Sequence, residues 1–451
     1  MIDNSKPIRQ GKYHRILKLI TVLTITLYMI TPLKSETSMG LFFVCLSAFI
    51  VGSYCFFRIK RKKNLFDFDV LFVVIYALCF YSTTFFIKDE GLYKALFLGY
   101  MFDTSYVNIG NILGTVGILC YYCGGVSNLS DSYHTHNHRY RRQYIKTRIL
   151  SSALLVLTFF FVVLGGSSYS KSAYSDTAGS HSPLIPYLLL LITFISLVII
   201  TSEFYNKKIN KNYNIGKLPI ASIAVVTTIL LLGGSRSDAS YIILPVIGMY
   251  SLLVKPMKIK IFICFLLIGI IGMWVIGQTR SGNGFESISN PILLLMDLTV
   301  PSRNTYAVYE YVERYGFTCG ASFVGVFTAI PLLSNFLGLT QGSGELLTKS
   351  FFSDNADYQS IGLGTTVIAD IYIAFGCIGV IILMYTLGRF VDKHTVRAAN
   401  MNYYSMIVYA ALISVSVFIV RGYITVPLRP VLWSLAIAYI NLHLKYNKTE
   451  R

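Results

Sequence analysis

The sequence predicts an all-α, polytopic integral membrane protein with about twelve transmembrane helices, both termini in the cytoplasm and one long outer (periplasmic) loop. Of its 451 residues, 54% are hydrophobic and only 13% are charged, which is far from the composition of a soluble domain. Apolar stretches long enough to cross a bilayer follow one another along the chain. All but eleven of the 39 lysines and arginines fall on one side of the alternating loops, as the positive-inside rule requires.

The predicted spans divide the chain into three parts. Residues 1–277 hold helices one to nine, residues 278–363 form the long outer loop, and residues 364–451 hold the last three helices and a cytoplasmic tail. The spans are 16–33, 39–57, 70–86, 105–125, 149–166, 184–202, 218–233, 239–254, 261–277, 364–388, 403–420 and 426–443.

Composition also excludes several classes of function. The net charge of +18 does not indicate nucleic-acid binding, because the basic residues lie in short loops where they set orientation. No Walker loop, zinc motif or dinucleotide fingerprint is present, so no cofactor or metal is predicted. Seven of the eight cysteines fall in apolar stretches and provide no disulfide framework.

Outer arginines are the most informative charged residues. The positive-inside bias acts against them, and a guanidinium group suits bidentate binding of phosphate. We therefore expect them to hold a phosphate-bearing lipid substrate. The predicted substrate-binding arginines are Arg236, Arg280, Arg303, Arg314, Arg421 and Arg429.

The turn 233–238 is the first candidate site. Its glycines are expected to end one helix in a left-handed conformation, and Ser237 or Asp238 to cap the next. Arg236 beside that helix N-terminus would contact a pyrophosphate, and Asp238 is a candidate base. The alternative is an ordinary hairpin with a surface ion pair.

The long loop supplies the second candidate site. A helix is predicted through Tyr315, with Ser302 as its N-cap. Arg303, Glu310 and Arg314 are predicted to share one face, beside the sugar-stacking candidates Tyr306 and Tyr309. Glu310 is a candidate base, and the alternative is a solvated Glu310–Arg314 salt bridge.

The third candidate site lies at the start of the tenth span. Gly362, Gly364 and Thr365 precede a helix N-terminus suited to an anion. Asp370 would lie one turn inside the membrane, where an ionisable group marks a functional site. It is a candidate base or, alternatively, a structural partner of Arg421 or Arg429. Ala369, Gly376 and Gly379 predict a small-residue packing face.

Two local patterns carry a resemblance to a known family. Gly-Gly-Ser-Arg-Ser at 233–237, and Gly362-x-Gly364-Thr-Thr through Asp370 to Gly379, resemble segments of bacterial oligosaccharide repeat-unit polymerases, the Wzy-type O-antigen polymerase family. The resemblance implies metal-independent glycosyl transfer at the outer face of the bacterial inner membrane. The substrates would be undecaprenyl-pyrophosphate-linked oligosaccharides, and the partners membrane lipids, a chain-length regulator and a flippase.

Other membrane functions remain as alternatives. A lipid-linked oligosaccharide flippase would have a similar number of spans but short loops, and an O-antigen ligase would use a histidine in the long outer loop. A membrane O-acetyltransferase would have a histidine or an acid near its cytoplasmic entry. Neither the long loop nor the entry region offers these residues.

Overall fold

A computed structural model describes most of the chain. It covers residues 7–62, 64–86, 102–127, 144–166, 184–210, 212–233, 235–278, 300–323, 342–351 and 364–443, with the single positions Val326 and Leu333. Every regular element within these ranges is helical, which agrees with the predicted all-α class.

The described residues form fourteen α-helices and two short 3-10 turns, Thr104–Tyr106 and Val300–Arg303. The helices are α1 (Pro7–Ile30), α2 (Met39–Lys60), α3 (Phe68–Phe86), α4 (Val107–Ser127), α5 (Arg148–Val163), α6 (Ile185–Ile209), α7 (Lys217–Leu232), α8 (Arg236–Leu253), α9 (Ile259–Gln278), α10 (Asn304–Tyr315), α11 (Ser343–Phe351), α12 (Val367–Ala399), α13 (Tyr403–Ser414) and α14 (Leu428–His443).

Each of the twelve predicted spans contains one of these helices. Five helical segments are long and apolar enough to cross a membrane: 11–30, 39–60, 104–127, 185–209 and 367–399. Shorter apolar helices account for six further stretches. The count of twelve spans, their orientation and the three-part division of the chain stay predictions.

Helix α4 is the centre of the bundle, and α12 packs along it. Nearly all of α4 is buried. The two backbones meet at glycines: a Cβ on Gly124 would lie 1.9 Å from the Tyr385 carbonyl oxygen, and one on Gly388 would lie 2.1 Å from that of Tyr121. Such contacts exclude any side chain, as at small-residue helix crossings in membranes.

The predicted packing face on α12 is wrong in position. Gly376 has φ 64° and ψ −160° and interrupts the helix, while Gly379 meets side chains of its own helix. The long loop contacts the chain just before this interruption, at the Ile373 carbonyl. Thr318 donates to it from its backbone N at 2.9 Å and from Oγ1 at 3.2 Å, so the loop is fastened to the break.

The predicted helix in the long loop is confirmed as α10, but its cap is not. Arg303, rather than Ser302, occupies the N-cap position, since the preceding residues form the 3-10 turn. A second loop helix, α11, packs beside α10 and α12. The long loop also contains an apolar stretch, 323–339, which lies mostly outside the described residues.

Candidate active site

A cavity of about 260 Å³ opens among α6, α8, α13 and α14, at the end of the bundle predicted to face outward. Its apolar wall comes from α6 and from Val415, Val426 and Pro430. Its polar groups are Thr193, Asp238, Tyr241, Ser414, Tyr423, Thr425 and Arg429. A mostly apolar cavity with a few converging polar groups is the usual form of a binding site.

Asp238 reaches the cavity from the first turn of α8. Ser235 takes the N-cap position, and its hydroxyl donates a hydrogen bond to the Asp238 carboxylate. The predicted caps Ser237 and Asp238 are therefore wrong, because the helix begins at Arg236. Gly233 is also right-handed, with φ −69°, so it does not end α7 in the predicted left-handed form.

Arg429 faces the same cavity from the start of α14. It is half-buried, and the turn before it is fixed by a bond from Leu428 N to Thr425 O at 2.9 Å. Pro430 follows at a first-turn position, where its missing N–H costs no helical bond. A carboxylate and a guanidinium group, Asp238 and Arg429, thus line one cavity.

Asp370 lies behind this cavity and not in its wall. It is 1% exposed. Ser343 Oγ donates to its Oδ1 at 2.8 Å, and Ile424 N donates to its Oδ2 at 3.1 Å. These are its two contacts among the described residues, and neither is with an arginine. Since Tyr423 is a wall residue, Asp370 holds the backbone beside that wall.

The N-terminus of α12 exists as predicted, but its polar groups contact other parts of the protein. Thr366 caps the helix by accepting from Ala369 N at 3.2 Å, and it lies 2.9 Å from Thr305 Oγ1. Thr365 is buried and lies 3.1 Å from the Ser343 hydroxyl. Asn304 Nδ2 donates to Gly364 O at 2.9 Å. This network ties both loop helices to α12.

The tyrosines of α10 point into the protein. Tyr306 donates to Asn111 Oδ1 at 2.9 Å, and its ring stacks on Phe102. Tyr309 lies between the rings of Tyr106 and Tyr372. Both are 1% exposed, so in this conformation they pack α10 onto α4 and α12 and offer no open ring face to a sugar.

Burial lowers the acidity of these two phenols, which lie outside the membrane-spanning segments. It raises the pKa of Tyr306 to about 12, with a hydrogen bond from Thr84 acting in the opposite direction. It raises the pKa of Tyr309 as well, and the neighbouring Tyr28 adds to that effect. Both phenols are therefore neutral at physiological pH.

Three of the other predicted arginines, Arg303, Arg314 and Arg421, are described and do not line the cavity. Arg303 is fully buried in the turn that packs on α3. Arg314 is 55% exposed and forms a salt bridge with Glu310, which is the alternative considered for that pair. Arg421 is half-buried, and its charge acts on Cys79 of α3. Arg280 and the side chain of Arg236 lie outside the described residues.

Comparison with known proteins decides the family. The family model of the O-antigen polysaccharide polymerase Wzy matches residues 16–449. The chain belongs to the Wzy family. No curated protein matches it significantly, and no solved structure does so. Proteins of the Wzy family are integral to membranes and act on lipid-linked oligosaccharide repeat units. Membership of this family implies polymerisation of O-antigen repeat units.

Several residues of this candidate site were missed in the sequence analysis. Ser343 and Ile424 hold Asp370, and Tyr241 and Tyr423 line the cavity. The position of Tyr241 could have been predicted, because it stands one helical turn after Asp238 and therefore on the same face of the helix. The role of Ser343 could not have been predicted from local spacing, because its contact with Asp370 joins positions 27 residues apart. Within the described part, no three His, Cys, Asp or Glu side chains are placed to share a metal ion.

Proposed function

We propose that this chain polymerises undecaprenyl-pyrophosphate-linked oligosaccharide repeat units into O-antigen or a related surface polysaccharide, at the outer face of the bacterial inner membrane. The reaction site would be the cavity among α6, α8, α13 and α14. The observation that carries the proposal is the presence of Asp238 and Arg429 in one cavity wall. A carboxylate that acts as a base and a group that binds phosphate are what this glycosyl transfer needs.

Departure of the lipid pyrophosphate is the step that needs positive charge. Arg429 would bind the diphosphate, and Arg236 would add a second guanidinium group from the first position of α8. Fixed groups of this kind stabilise developing charge without reorganisation, and the free N–H groups of the α8 N-terminus act in the same direction.

Activation of the acceptor hydroxyl needs a base. Asp238 is the preferred candidate, because it lines the cavity while Asp370 is covered and Glu310 is engaged by Arg314. The acceptor oxygen would form the new bond to the anomeric carbon as the bond to the diphosphate breaks. The hydroxyl proton would pass to the Asp238 carboxylate, and the diphosphate would leave on its lipid carrier.

The proposed reaction also implies two partner proteins. A flippase would deliver each lipid-linked unit to the outer face, and a chain-length regulator would limit the polymer. The surrounding apolar helices would hold the polyprenyl tails, and the long loop, fastened at Gly376 and at the α12 N-terminus, would lie over the sugars.

Deletion of the gene tests the function. Loss of the polymerase leaves a single repeat unit on the lipid A core, whereas loss of a flippase or a ligase leaves no surface units. We expect the single-unit phenotype and restoration of the full ladder by the wild-type chain. A deletion strain without any surface unit would contradict the proposal.

The role of Arg236 has its own test. We expect Arg236→Ala to lose the ladder, and Arg236→Lys to recover it only in part, because lysine cannot bind a diphosphate with two parallel hydrogen bonds. Full-length ladders from both variants would reject the contact.

A further inference from the structure

The long loop reaches the cavity wall at the first residues of α11. Tyr423 lines the cavity, and its side chain packs on the turn 342–344. A Cβ on Gly342 would lie 2.9 Å from both Cε1 and the hydroxyl oxygen of Tyr423, and one on Gly344 would lie 3.1 Å from that oxygen. The backbone of Gly344 also interacts with the Tyr423 hydroxyl. Glycine at both positions therefore lets the tyrosine lie directly on the loop backbone.

The same turn also holds the backbone of the wall. Ser343 Oγ donates to Asp370 Oδ1 at 2.8 Å, and Ile424 N donates to Asp370 Oδ2 at 3.1 Å. Ser343 and Asp370 are both buried. The carboxylate thus links the first residue of α11 to the residue that follows Tyr423, so side chain and backbone of the wall are fixed from one place in the long loop.

The wall segment 423–426 is a closed turn that leads to Arg429. Val426 N donates to Tyr423 O at 3.1 Å, and Leu428 N donates to Thr425 O at 2.9 Å. Three of its four residues line the cavity, as does Arg429. A displacement at Tyr423 is therefore expected to alter the lining on both sides of it.

We propose that the turn 342–344 positions the cavity wall 423–426, so that docking of α11 sets how well the cavity binds and aligns the lipid-linked sugars. The inference rests on the proposed function, because it takes this cavity as the site of glycosyl transfer. Gly342, Ser343 and Gly344 are positioning residues that act through Tyr423 and Ile424. The long loop is then a part of the site as well as its cover.

Gly342→Ala displaces the wall at little cost to the fold. The three nearest neighbours of the added Cβ are all atoms of the Tyr423 side chain, at 2.9 to 3.1 Å. Carbon atoms in contact lie about 3.5–4.0 Å apart, so the end of this side chain must shift by roughly 0.6–1.1 Å. Position 342 does not have a left-handed φ, so alanine fits its backbone. Alanine at 344 would instead meet the Gly364 carbonyl oxygen at 2.9 Å, which cannot move alone.

Polymerisation by the purified full chain in nanodiscs tests the proposal, with lipid-linked repeat units extracted from the deletion strain as substrate. We expect Gly342→Ala to lower kcat/KM by about 10- to 100-fold, since a misplacement of about 1 Å can cost about 100-fold. The thermal midpoint should stay unchanged. Gly40→Ala is the matched control, because it also stands at a helix N-terminus and its added Cβ has no neighbour nearer than 3.7 Å. It should keep both values.

Tyr423→Leu separates positioning of the wall from folding of the loop. Leucine lacks the ring atoms that the alanine would meet, so Gly342→Ala should cause no further loss of kcat/KM in that background. An effect on α11 alone would lower kcat/KM by the same factor in both backgrounds. That result would overturn the proposal, as would wild-type kinetics in Gly342→Ala.

Tyr423→Phe decides the question if Gly342→Ala does not fold or Tyr423→Leu has no measurable turnover. It keeps the ring but loses the hydroxyl that meets Gly344. We expect a smaller loss of kcat/KM at an unchanged midpoint, and wild-type kinetics would reject the positioning role. A wild-type chain that forms no polymer from these units is a separate outcome: it contradicts the proposed function, and the inference falls with it.

Discussion

Two aspartates near the outer end of the bundle differ in what surrounds them. Asp238 lines a cavity, whereas Asp370 is buried and accepts hydrogen bonds from Ser343 and Ile424. The first arrangement suits contact with a substrate, and the second suits a fixed structural link. Sequence position alone does not distinguish the two aspartates, because each stands in the first turn of a helix.

Asp370→Asn tests that link. The amide oxygen can keep the bond from Ile424 N, but the amide nitrogen then faces the Ser343 hydroxyl, which must turn and accept, so the buried pair is rearranged. We expect this to cost about 1–3 kcal/mol of folding free energy and to lower the thermal midpoint. Ser343→Ala should lower the midpoint to a similar extent, because it leaves Asp370 Oδ1 without its donor. A midpoint unchanged in Asp370→Asn would contradict the structural role.

Glu313 gives a pH-dependent contact outside the membrane. Lys34 Nζ lies 2.8 Å from its Oε2, and Tyr106 donates to the same carboxylate. The hydrogen bond from Lys34, followed by that from Tyr106, lowers the pKa of Glu313 below its ordinary value of 4.5. The hydrogen bond to Glu313, followed by that with Tyr106, raises the pKa of Lys34.

The sign of the pH effect follows from these directions. The carboxylate stabilises the fold above its unfolded pKa, and this contribution is lost as pH falls through the lowered value. The ammonium contribution is lost only as pH rises through its raised pKa. We therefore expect Glu313→Gln to lower the thermal midpoint at pH 7, and the difference from wild type to vanish in acid. An equal difference at both pH values would contradict the pairing.

At the scale of elements, the contact between α4 and α12 depends on glycine. A Cβ at position 388 would lie 2.1 Å from a backbone oxygen that cannot move alone, so even alanine must push the helices apart. Overpacking of this kind costs about 1–3 kcal/mol or more. We expect Gly388→Ala to lower the folded yield, measured by size-exclusion fluorescence.

Gly269→Ala is the matched control, since no heavy atom lies within 4 Å of its added Cβ. It is expected to keep the yield. Equal yields from the two variants would show that the close approach at Gly388 is not required.

Helix type and approximate bounds could be predicted from apolar periodicity, because each predicted stretch is occupied by a helix. The caps could not. Ser235, Arg303 and Thr366 take these positions according to where the loops dock, and a sequence with several serines or threonines in a row allows several starts. The break at Gly376 was also missed, since the sequence does not show that Thr318 of the long loop bonds to the Ile373 carbonyl beside it.

For the whole molecule, twelve spans with both termini inside predict which loops reach each compartment. Cys319 is exposed and belongs to the long loop, so a membrane-impermeant thiol reagent should label it in spheroplasts. Asn212→Cys, in a chain lacking Cys319 and Cys264, should react only after permeabilisation. Labelling of position 212 from outside would contradict the topology.

The candidate site was only partly predictable from the sequence. Asp238 and Arg429 were among the residues predicted from the sequence, and both line one cavity. Which arginines share a wall depends on neighbouring hairpins, and those contacts join residues nearly two hundred positions apart. Arg303 and Arg314 illustrate this limit. Both are arginines of the long loop, but Arg303 is buried and Arg314 is exposed in a local salt bridge.

The most direct test is the glycan ladder of a deletion strain that carries Asp238→Asn or Arg429→Ala. Loss of a charge-stabilising group lowers turnover by about 100- to 1,000-fold, and loss of a general base lowers it by about 100- to 10,000-fold. Both variants should therefore give a single repeat unit at wild-type protein levels, and Arg397→Ala, an exposed arginine at the other end of α12, should keep the full ladder. Full-length ladders from both cavity variants would show that polymerisation takes place elsewhere.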